Sequence, residues 1–296
     1  MSSEGGQLPP AASRLLAGGS PPRRPGSRAL YAYLLDLDDD LGQELEVRMR
    51  FSARQHTTAR LLDADTGECE LEAWFEAVGG GPGLLITDGL MAVETSVAGR
   101  TVTELLGRTD LLQPPEENDD DMIGGCATWR ALSPTRLAIL DADFLDRVRS
   151  WPPITHSLYR RVERRASDLS RLRAISCQPK LEVRLVLLLW HLASRWGRVE
   201  PAGIRLALPL THRLMGQLVA AERPSISHAL ARLSQAGIVT GNAGDWHLHG
   251  SAYAHLEALT ERTAHLPPIH RQAPPRPTLP PNGQEGLPSE QRTARA

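Results

Sequence analysis

The sequence predicts an α+β chain in three parts: a strand-rich N-terminal region, one long helix, and a C-terminal group of helices that ends in a small hairpin. Three observations carry this. Residues 45 to 141 run in short β-like pieces bounded by turn residues, as in GLLITDGLMAVETSVAGRTVTELL and TRLAILD. Between 151 and 177 an apolar stripe repeats along an arginine-rich segment. From 179 onward the order is helix, strand, helix, tight turn, helix, hairpin.

Short strands at regular intervals fold as a barrel, roll or sandwich, and residues 29–150 are read as one such domain. DADFLDRV then predicts a short helix, Pro152-Pro153 an interruption, and the segment to residue 177 the long helix. Its apolar positions Leu158, Val162, Ala166, Leu169 and Leu172 keep near-heptad spacing, with arginine on the other faces. So narrow a stripe on so long a helix suits a copy of itself, as in a two-stranded coiled coil; packing against its own domain is the alternative.

Residues 178–265 form the last part. PKLEVRLVLLLWHLASRWG is a strongly apolar helix, IRLALPL a short strand, THRLMGQLVAA a helix capped by Thr211, and GIVTGNAGDWHLHG two short strands about a Gly-Asn-Ala-Gly turn. The stretch AAERPSISHALARL, residues 220 to 233, supplies the remaining helix. Ile226, Ala229, Leu230 and Leu233 stand at i, i+3, i+4 and i+7, and Gly237 closes the helix. Proline is tolerated in a first turn, where its missing N–H had no partner, so Pro224 is a start and not a break. The opposite face holds Arg223, Ser225, Ser227, His228 and Arg232 without a carboxylate, which suits a polyanion. The whole order is that of a winged helix-turn-helix, whose second helix enters a major groove.

The charge distribution agrees. The net charge is −2 over 296 residues, yet residues 30 to 150 hold 24 acidic against 10 basic side chains, and residues 151 to 240 hold 5 against 14. Two modules follow, the second matched to an acidic partner. Lys180 is the one lysine, so single arginines say little. Residues 1–28 and 266–296, rich in Gly, Pro and Ser or in Pro, are expected to be disordered tails. With no apolar run near about 18 residues and no signal-peptide core, a cytosolic chain is expected. Cys69, Cys126 and Cys177 are too scattered for a disulfide framework or thiolate cluster and are expected to be buried free thiols.

These residues carry a resemblance. LTHRLMGQLVAAERPSISHALARLSQAGIV resembles the helix-turn-helix of the Crp/Fnr family of bacterial transcription regulators, with Thr211, Leu214, Gly216, Leu218, Val219, Arg223, Ser225, Ile226, Ser227 and Leu230 in register. The resemblance places Arg223 where the family's recognition arginine approaches guanine, Ser225, Ser227 and His228 as further base or phosphate contacts, and Thr211 and His212 as phosphate contacts. Three positions depart from the pattern. The family's glutamate after the arginine is Pro224, its turn glycine is Ala220, and a customary arginine is His228. Ala220 must accept left-handed backbone at a cost of about 1 kcal/mol or shift the turn.

ELLGRTDLLQP and CATWRALSPTRLAILDADFLDRV are similar to the family's cyclic-nucleotide-binding-like domain, and the resemblance implies a jelly-roll-like β-roll for residues 29–150. In that alignment the ribose-gripping glutamate falls at Pro114, and the arginine and serine that hold the cyclic phosphate fall at Gly125 and Cys126. The anchors are missing, and EENDDD, residues 116 to 121, would repel a phosphate. The resemblance thus implies a degenerate pocket, with Trp129 filling the space beside the former phosphate site.

The expected function is a homodimeric regulator that reads an inverted repeat in double-stranded DNA, free of cyclic AMP control, with RNA polymerase as a further candidate partner. The alternatives are a protein-interaction module that kept the fold and lost DNA binding, or a sensor of an unidentified ligand. No enzyme is expected: GGGPG lacks the Gly-Lys-Ser/Thr ending of a phosphate loop, and neither GxSxG nor HExxH occurs. No cofactor or metal is expected either. Iron–sulfur ligation needs clustered N-terminal cysteines, His56 and His156 are lone histidines, and the WHLH pair His247 and His249 lacks an evident third ligand.

Overall fold

The computed structural model describes residues 30–114, 126–252 and 254–256. Both expected tails, the acidic run 116–121 and Gly125 lie outside the described residues. In chain order the roll comprises β1 (Leu30–Tyr33), α1 (Leu34–Leu37), a 3₁₀ turn at Asp39–Gly42, α2 (Val47–His56), β2 (Thr58–Ala64), β3 (Gly67–Cys69), α3 (Glu72–Val78), β4 (Gly83–Asp88), β5 (Leu90–Val97), β6 (Arg100–Gly107), β7 (Leu111–Leu112), β8 (Cys126–Ala131), β9 (Thr135–Leu140) and α4 (Ala142–Val148). The helix α5 (Pro152–Ser176) follows. Beyond it are α6 (Leu181–Trp196), β10 (Gly197–Glu200), β11 (Gly203–Leu206), α7 (His212–Val219), α8 (Arg223–Gln235), β12 (Val239–Asn242) and β13 (Asp245–Leu248).

Two antiparallel sheets, ordered β1-β2-β9-β4-β7 and β3-β8-β5-β6, build the roll. Strand alternation decides what each side chain meets. Leu84 and Ile86 of β4, with Leu137 and Ile139 of β9, point into a core shared with Met91, Val93, Leu106 and Trp129 of the second sheet. Leu85, Ala138 and Leu140 point the other way, onto α1, α4 and the start of α5. These strands are buried on both faces, hence their unbroken apolar runs.

The roll region holds two helices that its sequence does not announce. α2 buries only Ala53 and exposes Val47 and Phe51, so its apolar residues lack a 3.6 period. α3 does have one, in Leu71, Phe75 and Val78, but it is only two turns long; Gly79, at φ +53°, terminates it in left-handed geometry. β10 is likewise additional, pairing with β11 to extend the wing to four strands, β10-β11-β13-β12.

Pro152 and Pro153 occupy the first two positions of α5, so the interruption is again a start. The packing of α5 revises the expected dimer stripe. Its seam against its own chain runs through Ile154, Leu158, Arg161, Arg165, Asp168, Leu172 and Ile175, of which Leu158 is buried in the roll core and Leu172 packs against the core of the helix-turn-helix. Leu158 is therefore buried, Leu172 and Val162 are each half-buried against a core of their own chain, and Tyr159, Ala166 and Leu169 are exposed. The seam was obscured because three of its positions are charged residues. Cys126 and Cys177 are exposed and Cys69 half-buried, against the expectation of buried thiols: Cys126 opens β8, and Cys177 caps the end of α5.

Candidate nucleic-acid interface

The helix-turn-helix is fixed from beneath. Leu214, Met215, Leu218 and Val219 of α7 and Ile226, Ala229, Leu230 and Leu233 of α8 pack with the strongly apolar α6, and Leu90, Ala92 and Leu105 of the roll belong to the same core. Thr211 caps α7 by accepting a 3.2 Å hydrogen bond from Leu214 N–H. Ala220 takes left-handed geometry (φ +54°, ψ +53°) in the turn, so the chain keeps the tight turn and carries the strain of an alanine there. Ala221 N–H then donates to the Gly216 carbonyl at 2.8 Å. Pro224 is at the second position of α8, and Gly237, at φ +67°, follows its C-cap.

The outward face separates into three groups. Arg223, Ser225 and His228 are exposed along α8, with Thr211 exposed at the mouth of α7. His212 and Ser227 are half-buried and face each other, Nδ1 to Oγ at 2.8 Å, while Ser227 Oγ–H also donates to the Arg223 carbonyl at 3.2 Å. The His212–Ser227 pair ties α7 to α8. Arg232 is exposed but engaged by the Glu182 carboxylate of α6. Among the described residues, the sequence face of five is thus three exposed side chains without a bonded partner, one linking serine and one ion-paired arginine.

Arg213, exposed next to the cap, and Arg100, the first residue of β6, share a cleft of about 710 Å³ with Arg223. Neither was legible as part of the face; Arg100 stands 123 positions earlier in the chain, so no local pattern could reveal it.

In the wing, Arg205 holds Asp245 through a two-pronged pair at 2.7 and 3.2 Å, and its hydrogen bond keeps the aspartate below the usual carboxylate range. His249 bonds Thr240 Oγ1 at 2.8 Å and approaches the Ala202 carbonyl at 3.3 Å, so it fastens the wing. Among the described residues no group of three His, Cys, Asp or Glu side chains is placed to hold a metal ion.

The turn at Gly107–Asp110 joins the roll to the helices. Asp110, buried, accepts from Gly107 N–H at 2.8 Å and pairs with Arg195 of α6 at 2.5 Å. Thr109 adopts φ +75°, and its carbonyl accepts from Arg161 of α5. Arg165 of α5 clasps Glu104 of β6 with contacts of 2.8 to 3.1 Å. His191 of α6 lies at the same junction, and burial pushes its pKa below the ordinary histidine value. Of the three positions of the degenerate pocket, Pro114 and Cys126 are exposed and Gly125 is outside the described residues. In the roll interior Trp129, 5% exposed, meets Phe75 with ring centroids 5.3 Å apart.

The described chain is thus a roll, a long connecting helix and a winged helix-turn-helix with exposed arginines on its outer face. Residues 183–257 match the family model of the Crp-like helix-turn-helix domain. The structure is similar to a CooA mutant from Carboxydothermus hydrogenoformans, at 17% identity over 69% of this chain and 87% of that one, TM-score 0.52. It is also similar to FixK2 from Bradyrhizobium japonicum, at 15% identity over 67% and 96%, TM-score 0.50. The sequence matches none of the curated proteins with which it was compared. Residues 183–257 are thus a Crp-like helix-turn-helix domain, and the chain shares its fold with those two structures. No helix among the described residues is long and apolar enough to cross a membrane.

Proposed function

We propose that the chain acts as a homodimer that reads an inverted repeat in double-stranded DNA without control by a cyclic nucleotide. The observation that carries this is the outer face of α8: Arg223, Ser225 and His228 are exposed over a buried Ile226, Ala229, Leu230, Leu233 stripe. Arg223 at the helix start suits bidentate contact with guanine, Ser225 and His228 base edges or phosphates, and Thr211 the backbone. His212 and Ser227 shape the surface by tying the two helices. Release from cyclic nucleotides is supported by the packed roll interior and by a proline and a cysteine at two of the three anchor positions. Site selection from random duplex DNA, with no ligand added, tests the reading. A palindrome should enrich, and Arg223→Ala should abolish it; a wild-type pool without enrichment would sink it.

Dimerisation is supported by the exposed edge of α5. Tyr159, Ala166 and Leu169 are exposed there and, with Val162 half-buried against the roll core, alternate at three and four residues, the spacing of a two-stranded seam, over a helix of 25 residues. Leu169, 43% exposed, takes no part in the buried cores. Leu169→Glu should therefore leave folding intact, yield monomers by light scattering, and weaken binding to the palindrome about a hundredfold or more, since linked half-sites lose their avidity. A variant that stays dimeric would remove α5 from the interface.

A further inference from the structure

The strands β5 and β6 pair along their whole length, from Leu90 opposite Gly107 to Val97 opposite Arg100, and are joined by Ala98-Gly99 alone. Both turn residues have positive φ, +49° and +75°, as a two-residue hairpin that follows strand twist requires. An alanine in that geometry is strained, and a hairpin so short has little freedom at its tip. Its root is fixed as well, because Leu90, Ala92 and Leu105 are buried in the core of α6, α7 and α8. The tip is thus held against the α7–α8 turn, where Gly99 and Arg100 share one cleft with Arg213, Ala220, Glu222 and Arg223.

Three arginines and one carboxylate line that cleft. Arg100 reaches Glu222 only at 3.9 Å, with both side chains more than four-fifths exposed, so the contact leaves its charge available to another partner. Arg223 is the first residue of α8, where the positive end of the helix dipole favours an anion, and Glu222 makes no side-chain capping bond there among the described residues. A helix entering a major groove at this end brings the flanking phosphates alongside the cleft.

We propose that this hairpin of the roll is part of the DNA interface, with Arg100 and Arg213 contacting backbone phosphates beside the recognition helix. This rests on the DNA-binding reading above. Arg223 would then contribute to choosing the sequence, while Arg100 and Arg213 strengthen binding to any duplex. The roll would thereby touch DNA directly, as well as through the helices it supports.

The test is titration of the full chain against its selected duplex and an unrelated duplex at several salt concentrations. Arg100→Ala, and separately Arg213→Ala, should weaken both duplexes alike, by about five- to tenfold, and lower the slope of log K against log salt by about one per protomer, without changing the selected sequence. Arg100 could instead act only by masking Glu222, so Arg100→Ala is repeated in a Glu222→Gln chain, where the loss should persist. The proposal is overturned if the loss disappears in that background, or if Arg100→Ala binds as well as the wild type or more tightly. Tighter binding would make the hairpin an inhibitory contact. If the DNA-binding reading itself is wrong, the wild type shows no salt-dependent binding to either duplex and Arg223→Ala changes nothing, a pattern distinct from loss of the Arg100 effect alone.

Discussion

Arg161→Ala should lower the stability of the chain by about 3 to 5 kcal/mol, read from chemical denaturation followed by tryptophan fluorescence. Arg161 and Asp38 are each only 3% exposed at the side chain and pair at 2.5 Å. The cost comes less from the lost attraction than from what remains: Asp38 would stay buried without its counter-charge, and the Thr109 carbonyl would lose a donor. Among the described residues Arg161 Nη2 is buried without a hydrogen-bond partner, so the pair is an imperfect one. Replacing both residues with apolar ones, Asp38→Leu with Arg161→Met, should recover much of the loss, because a well-packed apolar pair avoids burying any charge. Equal stability for Arg161→Ala and the wild type would mean that α5 is held by its apolar seam alone.

Trp129→Ala should cost a comparable 3 to 5 kcal/mol by the same measurement, through the opposite mechanism. Trp129 stands on β8 between Cys69 of β3 and Val93 of β5, and its ring reaches the interior of the roll, against Phe75. Deleting it removes apolar contacts and leaves a void that two paired sheets cannot collapse to fill. An unchanged denaturation midpoint would mean that the roll interior is not organised around this ring, and would remove one support for a roll closed to nucleotides.

The sequence made the C-terminal half legible because its signals are local. Thr211 as cap, Pro224 as start, Gly237 as stop and the i, i+3, i+4, i+7 stripe of α8 each lie within a few residues of what they determine. What stayed hidden is non-local. Arg161 and Arg165 look like solvent-facing arginines until Asp38 and Glu104 arrive from the roll to meet them, and for that reason the apolar stripe of α5 is misplaced when Leu158 and Leu172 are counted in it. Arg232 reads as a free cation until Glu182 of α6 is placed beside it. In α2, exposed Val47 and Phe51 remove the periodicity that would have announced a helix.

The most direct test of the central claim, that two copies read DNA together through α8, is equilibrium binding to duplexes in which the two selected half-sites are moved apart one base pair at a time. Two-fold symmetry predicts tight binding with half-site centres roughly 34 to 36 Å apart, loss of affinity when about five base pairs are inserted, and no such preference in Leu169→Glu. Equal affinity at every spacing would contradict the account.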